Sequence, residues 1–178
     1  MATALPPAAC IGRVTLALTL LTACRFEPPA LHELRRPDVI GDRDDDILGG
    51  TARDDVMVGG RGDDKLAGGE GDDILAGEWG RDELVGGPGS DIFVLDANNL
   101  KQPDRILDLE ERDSVLLAPD LVRRLPKPLA ESIRVEGGRL EVRVAGRWTP
   151  VATGFEDELR VSVDPSGRAL MLKFQVRF

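Results

Sequence analysis

An aspartate recurs every nine residues through the first half of this chain, at Asp46, Asp55, Asp64, Asp73, Asp82 and Asp91. Each closes a short glycine-rich run and stands two residues before a large apolar side chain. A carboxylate at the end of a tight turn, with backbone carbonyls crowded beside it, offers the oxygen ligands that a hard divalent cation such as calcium takes. The chemistry suggested is metal binding by repeated, equivalent turns.

A frame set at Gly41 divides the block into 41–49, 50–58, 59–67, 68–76, 77–85 and 86–94, without insertions. Position one is Gly41, Gly50, Gly59, Gly68, Gly77 and Gly86. Position eight is Leu48, Met57, Leu66, Leu75, Leu84 and Phe93. Glycine fills position four at Gly62, Gly71, Gly80 and Gly89, and position two at Gly60, Gly69 and Gly87. Glycine allows a tight turn because it enters positive φ without a Cβ clash. Positions seven to nine then form a three-residue strand with only its centre pointing inward. One apolar residue in nine makes no core alone, so successive coils must stack.

This pattern resembles the RTX nonapeptide, Gly-Gly-x-Gly-x-Asp-x-(large apolar)-x, a calcium-binding repeat. The resemblance implies a parallel β-roll of about three coils, two repeats to a coil, with Ca2+ held between turns two repeats apart. Asp46 is then matched with Asp64 and Asp64 with Asp82 on one side, Asp55 with Asp73 and Asp73 with Asp91 on the other. It also implies backbone carbonyl ligands at Gly60, Gly62, Gly69, Gly71, Gly80, Gly87 and Gly89. The first two repeats carry Asp42, Asp44, Thr51 and Arg53 where the pattern has glycine. The better sites are therefore expected at Asp64, Asp73, Asp82 and Asp91. Without calcium, the block is expected to be poorly ordered.

Composition narrows the function. Of the formal charge of −9, the block from Gly41 to Val94 carries 12 Asp and 3 Glu against 4 Arg and 1 Lys. Such an acidic stretch repels phosphates, which argues against nucleic acid as a partner. An EF-hand reading of Asp42-x-Asp44-x-Asp46 fails, because Ile47 stands where glycine is needed and Arg53 where the bidentate Glu belongs. A phosphate-cradle reading of the glycine runs lacks the Lys-Ser pair. His32 is the single histidine, which removes His-based triads and the zinc motif of serralysin-type proteases. The resemblance to that family covers its roll and not its catalytic domain. No catalytic constellation is found, and the chain is read as a non-enzyme.

The N-terminus carries a different signal. Arg13 precedes an apolar stretch from Val14 to Ala23, ending in Leu21-Thr22-Ala23-Cys24. That ending resembles the lipobox of bacterial lipoproteins, which implies cleavage before Cys24 and a lipid anchor on its sulfur. Cys10 and Cys24 are the only cysteines, so the body of the chain has no disulfide. Residues 25–40 are read as a tether, with Pro28, Pro29 and Pro37 and no periodicity.

Beyond the repeats, Asp104, Asp108 and Asp113 sit in a segment that resembles the closing part of RTX rolls, and they are read as turn-forming and capping residues. After Pro119, Pro126 and Pro128, the chain alternates with period two at Leu140, Val142 and Val144, and again over Leu170, Leu172, Phe174, Val176 and Phe178. Two hairpins are expected, forming a small antiparallel sheet on the end of the roll. The expected class is all-β. The expected parts are a signal peptide (1–23), lipidated Cys24 with its tether (24–40), the calcium-binding roll (41–94), a capping segment (95–129) and a hairpin region (130–178). The expected function is calcium binding by an exported lipoprotein at the cell envelope, on the outer membrane or cell surface. A type I-secreted effector and a polysaccharide-binding or polysaccharide-active accessory protein are the alternatives, the latter with Trp79 and Trp148 as stacking platforms. The protein or glycan partner is left open.

Overall fold

A computed structural model describes residues 37–155, 162–163 and 170–173. Cys10, Cys24 and His32 lie outside the described residues, as do Phe174, Val176 and Phe178 of the second alternating run.

The nine-residue period turns into strands as follows. Positions seven to nine form β2 (Ile47–Gly49), β4 (Lys65–Ala67) and β6 (Glu83–Val85). Alternate repeats give β3 (Val56–Arg61), β5 (Ile74–Trp79) and β7 (Ile92–Leu95). Each strand pairs in parallel with the one two repeats on. Leu48 faces Leu66, which faces Leu84, while Met57 faces Leu75, which faces Phe93. A coil therefore takes two repeats, and odd and even repeats build opposite sheets. The position-eight side chains meet between the sheets. Met57, Leu66, Leu75, Leu84 and Phe93 are all fully buried. Removing such a side chain from water contributes about 1.5–3 kcal/mol each.

The roll runs beyond the six repeats at both ends. Val39–Ile40, within the segment read as tether, forms β1 and pairs with Met57 and Val58. Past Val94, β8 (Asp104–Ile106) and β9 (Ser114–Leu117) add a further rung to each sheet. Ile106 faces Leu84 and Val115 faces Phe93, so the spacing between partners grows from 18 to 22 residues in both sheets. Residues 95–98 account for the difference. After them the nonamer frame resumes at 99–107 and 108–116, with Asp104 and Asp113 at position six and Ile106 and Val115 at position eight. Among the described residues, one sheet of the roll has five parallel rungs and the other four, against the three coils expected from six repeats.

The C-terminal strands are antiparallel, and they are divided between the roll's two sheets. β10 (Ile133–Glu136), β11 (Arg139–Val144) and β12 (Arg147–Thr153) form a meander. Its last strand lies parallel to β8, with Ala152 opposite Asp104. β13 (Ser162–Val163) and β14 (Leu170–Lys173) form a second antiparallel pair, and β14 pairs with β9. Leu140, Val142, Val151 and Leu172 extend the core of the roll without a break. Arg134 ties the meander together. It bonds to Glu141 and Glu136 at 2.7 Å each and stacks 4.3 Å from the Trp148 ring.

The outer surfaces of the two sheets differ. On one, Lys65, Glu83 and Arg105 stand in line, with Glu83 bonded to Lys65 at 3.1 Å and to Arg105 at 3.5 Å. On the other, the same positions hold Val56, Ile74 and Ile92. Among the described residues, no helix is long and apolar enough to cross a membrane.

Candidate metal centre

The position-six aspartates form two ladders, one along each edge of the roll. The backbone N–H of Asp46 donates to Asp64 Oδ1 at 2.8 Å, that of Asp64 to Asp82 at 2.8 Å, and that of Asp82 to Asp104 at 3.2 Å. On the other edge, Asp55 donates to Asp73 at 2.8 Å, Asp73 to Asp91 at 2.9 Å and Asp91 to Asp113 at 3.0 Å. From Asp64 onward each of these carboxylates thus reaches back one coil, which fixes its orientation.

The second carboxylate oxygens are the chemically informative atoms. Those of Asp64, Asp73, Asp82, Asp91 and Asp104 are buried and accept no hydrogen bond. Their residues are at most 1 % exposed. A buried charged oxygen without a donor is costly, and its usual resolution is a cation.

The space beside these oxygens fits that reading. A Cβ placed on Gly59 would meet Asp64 Oδ2 at 2.5 Å and the carbonyl oxygen of Gly77 at 2.9 Å. A Cβ on Gly68 would likewise run into Asp73 Oδ2, and into the Gly86 carbonyl at 2.7 Å. Position-one glycine therefore leaves open a cradle bordered by a carboxylate from one turn and a carbonyl from the turn 18 residues on. Both are hard oxygen donors of the kind calcium selects. Among the described residues, no group of three or more His, Cys, Asp or Glu side chains is placed to hold a metal ion by itself. A cation in this cradle would draw on backbone carbonyls together with the carboxylate.

The carbonyls proposed as ligands stack in the same register. Those of Gly62, Gly69 and Gly71 stand where a Cβ on Gly80, Gly87 and Gly89 would have to go. Gly60 sits within β3, opposite Glu78.

Burial sets the titration of these groups. It pushes the Asp64 and Asp73 carboxyls up from 3.8, while the N–H groups of Asp46 and Asp55 pull the other way. Asp82 and Asp91 are pushed up to about 6 by burial, with neighbouring carboxylates adding to it. Asp104 is pushed up to about 8, mainly by burial and then by Asp82. One backbone N–H for each of these carboxylates offsets only part of the cost of burying its charge.

One feature lies outside the sequence reading. Position-five aspartates form a second, exposed ladder running forward. Asp45 accepts from the N–H of Asp63 at 2.8 Å, Asp63 from Arg81 at 2.9 Å, Asp54 from Asp72 at 2.9 Å and Asp72 from Ser90 at 2.9 Å. Asp108 accepts the N–H groups of Gly86 at 2.9 Å and Gly87 at 2.8 Å, closing the last regular turn. Asp113 accepts from Glu110 at 2.7 Å with its second oxygen. The signal for the outer coils was an in-phase Asp-x-apolar triplet at Asp104 and Asp113, hidden by the loss of glycine.

Two parallel sheets wound from nine-residue units, with oxygen cradles along both edges, define a calcium-binding parallel β-roll. Residues 39–75, 49–84, 58–93 and 80–99 match the RTX calcium-binding nonapeptide repeat, in four overlapping copies. This part of the chain is an array of RTX repeats, and repeats of that family bind Ca2+. Among solved structures, the chain is similar to the solution structure of the AlgE6R3 subunit from the Azotobacter vinelandii mannuronan C5-epimerase. The identity is 27 %, with 77 % of this chain and 75 % of that chain covered and a TM-score of 0.43. No curated protein sequence matches.

Proposed function

We propose that this chain is an exported lipoprotein, anchored through Cys24, whose calcium-loaded roll serves as a structural or interaction module at the cell envelope. The calcium part rests on one observation above all, the buried oxygens of Asp64, Asp73, Asp82 and Asp91 that accept no hydrogen bond. The anchor rests on Leu21-Thr22-Ala23-Cys24 at the end of an apolar stretch. The two fit together physically. Weak oxygen cradles fill where free calcium is millimolar, which is outside cells. Binding there neutralises the acidic block and couples to folding.

Circular dichroism of the chain with calcium and with EDTA tests the first part. A cooperative gain of β signal on adding calcium is expected, and an unchanged spectrum with no bound ion in calorimetry refutes it. Mass spectrometry of the native N-terminus tests the second. A diacylated Cys24 supports the anchor, whereas an intact Met1 favours secretion in one step through a type I channel.

A further inference from the structure

The position-six carboxylates fall into groups according to what holds their second oxygen. In the first two repeats it is held by the residue at position two of the same turn. The N–H of Asp42 donates to Asp46 Oδ2 at 2.8 Å. The N–H of Thr51 donates to Asp55 Oδ2 at 2.6 Å, and its hydroxyl to the same oxygen at 2.8 Å. From the third repeat on, position two has a left-handed backbone, with φ of 108° at Gly60, 116° at Gly69, 71° at Glu78 and 98° at Gly87. Asp42 and Thr51 are not in that region, which disfavours residues bearing a Cβ. The N–H at position two then points elsewhere. That of Gly69 donates to the carbonyl of Gly86 at 3.1 Å. Asp64, Asp73, Asp82 and Asp91 are left with a buried oxygen and no donor.

An N–H on a carboxylate oxygen places a partial positive charge where a cation would approach. It satisfies the oxygen and repels the ion at once. We infer that calcium loading starts at the third repeat, and that the first two repeats form a metal-free cap in which backbone N–H groups stand in for the ion. The inference rests on the calcium reading above. It adds that the residue at position two decides whether a turn is loaded. Asp46 and Asp55 then belong to the cap and are not calcium ligands.

The test counts calcium bound to the full chain at saturation, by equilibrium dialysis with elemental analysis. Asp46→Asn and Asp55→Asn keep a side-chain acceptor for the N–H, and both are expected to leave the count at the wild-type value. Asp64→Asn and Asp73→Asn are each expected to lower it. The double change Thr51→Gly with Arg53→Gly frees Asp55 and is expected to raise the count by one ion. Loss of an ion in Asp55→Asn overturns the inference while leaving the calcium reading intact. So does a wild-type count in the double variant when its circular dichroism shows it folded. A wild-type chain that binds no calcium overturns the reading itself.

Discussion

Asp64 accepts the backbone N–H of Asp46 at 2.8 Å with one carboxylate oxygen and keeps the other buried without a donor. One side chain thereby does two things: it joins adjacent coils and presents a negative oxygen to an interior space. The same arrangement recurs at Asp73, Asp82 and Asp91, which makes the array sensitive both to protons and to calcium.

The pH dependence follows from the raised carboxyls. Asp82 and Asp91 titrate near 6 in the folded chain against 3.8 ordinarily, so the folded state binds protons more tightly than the unfolded one. The stability this contributes is fully present below about pH 4 and is lost as pH rises through about 6. In calcium-free buffer, the roll is expected to be more stable at pH 4 than at pH 7.5, by an amount of the order of a few kcal/mol. With saturating calcium the order reverses, because protons and calcium compete for the same oxygens. Thermal melts at both pH values check this, and a calcium-free melt that rises with pH contradicts it.

The core prediction separates the inner column from the outer one. Leu66→Ala, at a fully buried site, is expected to destabilise the calcium-loaded chain by about 2–5 kcal/mol. Ile47→Ala, at a side chain that is 85 % exposed, is expected to change stability by less than about 0.5 kcal/mol. Denaturant unfolding of both variants in calcium measures the contrast.

Glu78 holds position two of the fifth repeat at φ 71°, a conformation that costs a residue with a Cβ roughly 1–2 kcal/mol. Glu78→Gly is expected to stabilise the roll by about 1 kcal/mol, after the entropy that glycine adds to the unfolded chain. A rise in the thermal midpoint at fixed calcium is the readout. A fall would show that the Glu78 side chain contributes more than its backbone strain costs.

Asp108 closes the last regular turn through the N–H groups of Gly86 and Gly87. Asp108→Ala removes both acceptors and is expected to cost about 1–3 kcal/mol. Asp108→Asn, which keeps one acceptor, should lose less. Hydrogen exchange at Gly86 and Gly87 should accelerate in the alanine variant before exchange elsewhere in the roll does.

The roll was legible because three columns, glycine, aspartate and a large apolar residue, hold phase over 54 residues from Gly41 to Val94. Each column has its own steric or chemical reason, so their coincidence is informative. What lay beyond was harder to read for equally physical reasons. Asn99 and Asp108 occupy position one of the outer nonamers, and residues 95–98 interrupt the count. The period survives only in Asp104, Ile106, Asp113 and Val115. The strands at Arg139–Val144 and Leu170–Lys173 were legible from their alternation, but alternation says which face is buried and not which neighbour is paired. The joining of β12 to β8 and of β14 to β9 brings together residues far apart in the chain. Nothing local encodes that. The role of Thr51 was half visible, since a missing glycine signals a poor turn, while the bond from its N–H to Asp55 needs coordinates.

The winding of two repeats to a coil has a consequence for how the surface can vary. Outward positions of odd repeats, such as Lys65, Glu83 and Arg105, all lie on one sheet, and those of even repeats, such as Val56, Ile74 and Ile92, all lie on the other. The chain is thus written like two interleaved texts, each printed on its own side of the page. Either side can be rewritten through every second repeat while the turns, the aspartates and the buried column stay as they are.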